Sequence, residues 1–216
     1  MIELTKIVID TNIFLGLYES DNDTLRIFED IEKLQPHLIM SDQSFEEFLR
    51  NRDKLLQKLI KEIKRTTNIN PYFCSLIRDS THFKNILSLK EQFKEHSGKL
   101  IKEIQTMLDT PEKDPIYIKF NKIFNSTEVV KLFRTDEIID KAYRRKLIGN
   151  PPMSVGKNSI GDEILWELLI NSIDEDLLIV TRDKTYNVYR SFLKNEYNKK
   201  TNRRLCRKPT ISEEKQ

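Results

Sequence analysis

A chain of 216 residues is long enough to bury a proper core, as one large domain or as a domain with a substantial insertion, and one folding unit is expected. Hydrophobic residues at 38% and charged residues at 33%, with only 5 Gly and 7 Pro, favour an ordered, helix-rich chain with a heavily ionic surface over a disordered one. Lys+Arg 37 nearly balances Asp+Glu 34, so the net charge of +3 does not by itself point to a polyanionic partner.

The first residues, Met1 to Thr5, lack the basic and apolar regions of a secretion signal, and no apolar run approaches the length of a membrane span. Cys74 and Cys206 stand far apart in dissimilar surroundings, which is neither a disulfide framework nor a thiolate metal site. A reducing cytoplasm is the expected compartment, with no membrane partner.

In chain order, Lys6 to Ile9 is a short apolar run that stops at Asp10-Thr11-Asn12 and reads as a buried strand. Ile13 to Tyr18 starts a helix, Glu19 to Asp23 is a turn-rich break, and Thr24 caps a helix with Leu25, Phe28, Ile31 and Leu34 on one face. Pro36 ends it, and His37 to Met40 is a second buried strand. Strand, helix, strand in that order implies a parallel crossover. Ser41 to Ser44 opens the next helix, which places Glu46 and Glu47 in its first turn, where the helix dipole offers an ordinary explanation for acids.

From about residue 50 to 125 the sequence reads as a helical insertion. The predicted helices cover 50–65, 70–80, 81–96, 98–108 and 114–124, with breaks at Pro71, Gly98 and Pro111. Lys58, Lys61, Lys64 and Arg65 form a basic cluster that a solvated helix face explains as well as nucleic acid does. Glu128 to Phe133 is a short element without a clear period, and Thr135 caps a helix that Gly149 stops, with Arg144-Arg145-Lys146 on it. A connection over 153–159 leads to a helix from Ile160 to Ile170. There Ile164, Leu165, Leu168 and Leu169 account for the buried side, and Trp166 is expected at an edge. Leu177 to Thr181 is a third inner strand, ending at Arg182-Asp183. A helix over 188–197, an edge strand near Leu205 and a frayed tail over 209–216 complete a single domain of residues 1–208.

Asp10, Glu47, Asp162 and Asp183 each have an ordinary explanation taken singly. Yet all four fall at the carboxyl ends of strands or at the helix starts that follow, and in a parallel sheet those positions share one rim. Crowded carboxylates repel unless protonated or neutralised, and the usual neutraliser is a hard divalent cation held through oxygen. With no His or Cys cluster competing for a softer metal, Mg²⁺ or Mn²⁺ is the implied cofactor.

Four ordered motifs carry a family resemblance: Ile7-Val8-Ile9-Asp10-Thr11-Asn12, Glu46-Glu47-Phe48, Lys157 to Trp166, and Ile179-Val180-Thr181-Arg182-Asp183-Lys184. Together they resemble the motifs of the PIN-domain nucleases, in particular larger bacterial PIN-like proteins with a helical insertion, over roughly residues 6–50 and 135–190. The resemblance implies an α/β, three-layer PIN-like fold with a central parallel sheet flanked by helices, and a metal-dependent endonuclease acting on RNA or, less typically, single-stranded DNA. It matches Asp10, Asp162 and Asp183 to metal-binding acids. Glu47 is preferred to Glu46 as the remaining acid because Glu47-Phe48 fits the family pattern. Asn12 and Thr181 are implied as partners of those acids or of metal-bound water. Lys157, Arg182, Arg203 and Arg204 are candidates to hold phosphates, against the plain alternative of ionic surface. A homodimer or a cognate inhibitor is an open protein partner.

Two competing functions are weighed. Aspartyl phosphatases also place Asp after the first strand but require a second Asp two residues on, where this chain has Asn12. A catalytically weak PIN-like RNA-binding or scaffold protein is the other alternative, and retention of all four acids argues against it.

Overall fold

The computed structural model describes residues 5–20, 24–68, 70–152 and 159–208. The expected connection over 153–159, apart from Ser159, and the tail over 209–216 lie outside them. By contacts the chain divides into two compact units, Met1–Asn51 with Lys119–Gln216, and Arg52–Ile118.

The first unit is built on a parallel five-stranded sheet in the order β3-β2-β1-β4-β5. The strands are β1 Lys6–Ile9, β2 Leu38–Ser41, β3 Val130–Leu132, β4 Leu177–Val180 and β5 Leu205–Lys208. The helices are α1 Thr11–Leu15, α2 Thr24–Glu32, α3 Asp42–Thr67, α4 Thr81–Asp109, α5 Pro115–Asn125, α6 Asp136–Leu147, α7 Gly161–Ser172, α8 Thr185–Val188 and α9 Arg190–Thr201. The untyped stretch after Glu128 is thus an edge strand, and β5 is the edge expected near Leu205. β2 is buried along its whole length, as a continuous apolar run in an inner parallel strand should be.

Register decides what comes together. Ile7 pairs with Leu38 on one side of β1, while Ile9 pairs with Val180 on the other. The two central strands therefore end level, and the Asp10 N–H extends the ladder by donating to the Val180 carbonyl at 2.9 Å.

α7 packs against α6 and α9. Here the single apolar stripe expected from the sequence is too narrow. Trp166 is fully buried rather than at an edge, and Glu163 and Glu167 are buried as well. The indole N–H of Trp166 donates to Glu196 at 2.8 Å. That carboxylate also takes a bidentate pair from Arg145 (2.9 and 2.6 Å), whose Nε reaches Glu167 at 2.7 Å. Two glutamates hold the Arg145 guanidinium above its ordinary pKa even though burial opposes the charge. Arg145, one of a basic triplet, thus joins α6, α7 and α9 instead of facing solvent. A second group of rings packs Phe48 on Phe120, with centroids 3.9 Å apart, and Phe14 edge-on to Phe120 at 4.9 Å.

In the unit from Arg52 to Ile118, the fully buried Arg52 donates to Asp114 at 2.7 Å and to the Met107 carbonyl at 2.5 Å. Asp114 in turn accepts the backbone N–H groups of Ile116 and Tyr117 at the start of α5. Two sequence expectations fail in this unit. Residues 70–80 form irregular chain and turns, not a helix, because they find no buried face to pack: Tyr72, Phe73 and Leu76 are exposed. Conversely, α4 runs unbroken through Gly98, since one interior glycine costs only about 1 kcal/mol, little against the rest of a helix this long.

A Cβ added at Gly98 would meet nothing within 4 Å. Gly98→Ala is therefore expected to stabilise the protein by roughly 0.5–1 kcal/mol, read as a higher urea midpoint at unchanged slope. A lower midpoint would mean that this turn of α4 is not regular helix.

Candidate active site

Asp10 stands at the end of β1 and caps α1. Its Oδ1 accepts the Asn12 N–H at 3.3 Å, and its Oδ2 accepts the Asn12 side-chain amide at 2.8 Å. Oδ2 also accepts the hydroxyl proton of Thr181, the residue just past β4. The fully buried Thr181 hydroxyl in turn accepts from Asn12 Nδ2 at 3.3 Å and from the Asp183 N–H at 2.9 Å. Asn12 Oδ1 accepts the Arg182 N–H at 3.3 Å, and Asp183 Oδ1 accepts the Thr185 N–H at 2.8 Å. One connected set of bonds thus orients Asp10 and Asp183 across the level ends of two neighbouring strands.

The other two acids arrive on helices. Asp162 lies in the first turn of α7, so a helix-start acid remains an adequate local explanation for it. Glu47 is different. α3 begins at Asp42, one turn earlier than the sequence suggests, so Glu47 falls beyond the first turn, where the dipole has little hold. A Cβ on Gly161 would come 2.8 Å from Gln43 Nε2 and 3.6 Å from Glu47 Oε2, so glycine there lets α7 start against this part of α3. Glu46 turns elsewhere, pairing with Arg134 at 2.6 Å and Arg50 at 3.4 Å, and the Arg134 bond holds its carboxyl below the ordinary value.

The electrostatics at Tyr186 agrees with this arrangement. Tyr186, on α8, is buried, and burial pushes its hydroxyl well above the ordinary tyrosine value. The negative charges of Asp162, Asp10, Asp183 and Glu47 push it further in the same direction. One phenol thus feels all four acids, and among the described residues its hydroxyl has no hydrogen-bond partner. Asp10 is also raised, first by desolvation and then by Asp162 and Asp183, while the Thr181 and Asn12 bonds pull it down.

These residues fit a hydrated divalent cation. The donor set is all oxygen, burial and its acidic neighbours raise the Asp10 carboxyl, and among the described residues the buried hydroxyl of Tyr186 has no hydrogen-bond partner. Among the described residues no three His, Cys, Asp or Glu side chains form a ready metal-holding group. The arrangement suits an ion that keeps several of its waters, as Mg²⁺ does, better than an all-protein cage.

Arg182 is exposed on the same rim, its guanidinium lying where a Cβ on Gly16 would be. Lys157 lies outside the described residues. Arg203 and Arg204 do not join the acids. They precede β5, whose first residue pairs with Leu177 at the start of β4, and so stand at the opposite end of the sheet. Arg204 is tied there to Asp176 at 2.6 Å, and Arg203 approaches Asp174 at 3.7 Å. A role beside the acids is closed to both.

A family model for the PIN domain matches residues 7–186. The chain belongs to the PIN-domain family. PIN domains are generally nucleases and typically use divalent metals, and the parallel sheet described above is consistent with their fold. No curated protein and no solved structure gives a significant match to the chain. Among the described residues, no helix is long and apolar enough to cross a membrane.

Three residues of this PIN domain's site carry little signal in the sequence. Tyr186 has only its position three residues after Asp183 to mark it. Arg134 latches Asp42 (3.0 Å), Gln43 (2.9 Å) and Glu46 from beyond β3, and Gln43 is the buried amide against Gly161.

Because the Asp10 carboxyl is raised above its ordinary value of 3.8, its charged form burdens the metal-free fold. The burden is absent below 3.8 and complete once pH exceeds the raised value. Asp10→Asn, which keeps a capping oxygen, should raise Tm in EDTA at pH 7, and its advantage should shrink as pH falls toward 3.8. A difference independent of pH would show that no buried charge is involved.

Proposed function

We propose that the protein is a Mg²⁺- or Mn²⁺-dependent endonuclease that hydrolyses phosphodiester bonds in RNA, with Asp10, Glu47, Asp162 and Asp183 as its acidic centre. The observation that carries this reading is the meeting of the acids at one rim: Thr181 joins Asp10 to the Asp183 backbone at the level ends of β1 and β4, and the Cβ position of Gly161, beside Asp162, lies 3.6 Å from Glu47 Oε2. A divalent ion bound among them would supply Lewis acidity and a water acidified toward hydroxide, the two things phosphodiester hydrolysis needs most. The chain supplies position. Asp10 is held by Thr181 and Asn12, and among the described residues its Oδ1 accepts one long bond, from the Asn12 N–H at 3.3 Å.

Asp183, fixed through Thr185, is the second rigid carboxylate, and either acid can orient the attacking water and accept its proton. Arg182, exposed on the same rim, would hold a phosphate by charge-assisted hydrogen bonds. No protein nucleophile is required. Asn12 cannot serve as the general acid of a phosphatase, since an amide has no proton to give at neutral pH and its side chain is engaged by Asp10, Thr181 and Arg182.

Wild type should cleave single-stranded RNA in Mg²⁺ or Mn²⁺ and not in EDTA. Asp10→Asn and Asp183→Asn should each lose on the order of 100-fold or more in rate with an unchanged circular-dichroism spectrum. Glu47→Gln should lose more than Glu46→Gln. Equal cleavage by wild type and Asp10→Asn would contradict the reading, and a larger loss from Glu46→Gln would move the fourth acid.

A further inference from the structure

The chain's small positive excess is unevenly spread. Residues 52–118 hold 13 Lys and Arg against 9 Asp and Glu, so the remainder of the chain is slightly acidic. Within that unit a groove of about 510 Å³ runs between the carboxyl end of α3 and the middle of α4. Its walls carry Lys64, Lys90 and Lys94 with the polar ends of Asn68 and Asn70, and a single carboxylate, Glu91. Lys90 and Lys94 are four residues apart on one face of α4, about 6 Å along its axis, and Gly98 continues that face without a side chain. Lys90 reaches Asn70 at 3.4 Å, which ties the groove to the turns that follow α3.

Those turns, which follow the groove residue Asn70 directly in the chain, present rings to solvent. Tyr72, two residues after Asn70, is 81% exposed. Phe73 is seated from below by Phe83, with centroids 5.4 Å apart, and carries the Arg78 guanidinium over its face at 5.4 Å. An exposed ring two residues along the chain from a cationic groove matches the chemistry of an unpaired nucleic-acid strand: phosphates for the lysines, a base face for the ring.

We infer that residues 52–118 form a single-stranded RNA-binding platform in which Lys64, Lys90 and Lys94 hold the backbone and Tyr72 stacks on a base. The inference rests on the nuclease reading for its choice of RNA. Unstacked bases are available only in single strands, so duplex RNA should bind more weakly.

The test uses the full chain carrying Asp10→Asn, so that binding is read without cleavage, and a labelled 12-nucleotide single-stranded RNA followed by anisotropy across a salt series. Adding Lys64→Gln, Lys90→Gln and Lys94→Gln should weaken binding at least tenfold and flatten the plot of log K against log salt by about 2, or about 0.7 for each phosphate that is no longer neutralised. Tyr72→Ala should weaken binding roughly 5- to 150-fold, the worth of one base–aromatic stack, at unchanged salt slope. A charge-matched control, Lys33→Gln with Lys194→Gln and Lys199→Gln, removes exposed lysines of the other unit and should leave binding within twofold.

Parent-like affinity and slope in the groove triple would overturn the platform. So would equal losses in the control triple, or a Tyr72→Ala protein that binds as its parent does, which would indicate a general polyanion surface. Cleavage-silent wild type with this binding intact would count against the nuclease reading alone. Cleaving wild type with the groove triple unimpaired would count against the platform alone.

Discussion

The site depends on the level ending of β1 and β4. Ile9 and Val180 are partners in the ladder, so the next residues, Asp10 and Thr181, emerge side by side. The Thr181 hydroxyl then does what neither strand can do alone. It donates a hydrogen bond to the Asp10 carboxylate and accepts from the Asn12 amide and the Asp183 backbone N–H, so the residues that follow the two strands share one anchor. A slip of one residue between the strands would turn these side chains to the opposite face and separate them. The buried apolar ladder beneath, with Val8, Leu177 and Ile179 in one core cluster with α7, opposes that slip.

Crowding acids in a half-buried place has an electrostatic cost, and the fold carries it openly. Asp10 is raised by desolvation and by its acidic neighbours, and Tyr186 is raised by burial and by all four acids. Such a cluster is a poor way to stabilise a fold and a good way to receive a cation. Around it the scaffold is rigid by other means: Arg134 fastens the first turns of α3, and Arg145 joins α6, α7 and α9 through Glu167 and Glu196. Positive charge therefore supports the site from outside it.

The strands are legible in the sequence because buried parallel strands read as short apolar runs, and the acids are legible because those runs stop at carboxylates. Local signals fail where distant residues decide. Arg145 looks like part of a solvated basic triplet until Glu196, 51 residues on, is found against it. Trp166 looks like an edge residue because a stripe at helical spacing suffices for a helix with one buried face, and α7 is buried on nearly all sides. Arg203 and Arg204 look like phosphate holders by composition, but the register of β5 against β4 sends them to the other end of the sheet. Gly98 resembles a break, and the residues after Pro71 a helix, because propensity is blind to the length of α4 and to the lack of a buried face at Tyr72.

The central claim is that the four acids surround a divalent ion, and a crystal structure of the protein soaked in Mn²⁺, read by anomalous scattering, tests it most directly. The account predicts one or two manganese peaks within direct or single-water reach of Asp10 and Asp183, with Asp162 and Glu47 completing the shell and the Tyr186 hydroxyl bonded to a coordinated water. No peak at the carboxyl ends of β1 and β4 at millimolar Mn²⁺, or a peak only at surface acids elsewhere, would contradict it.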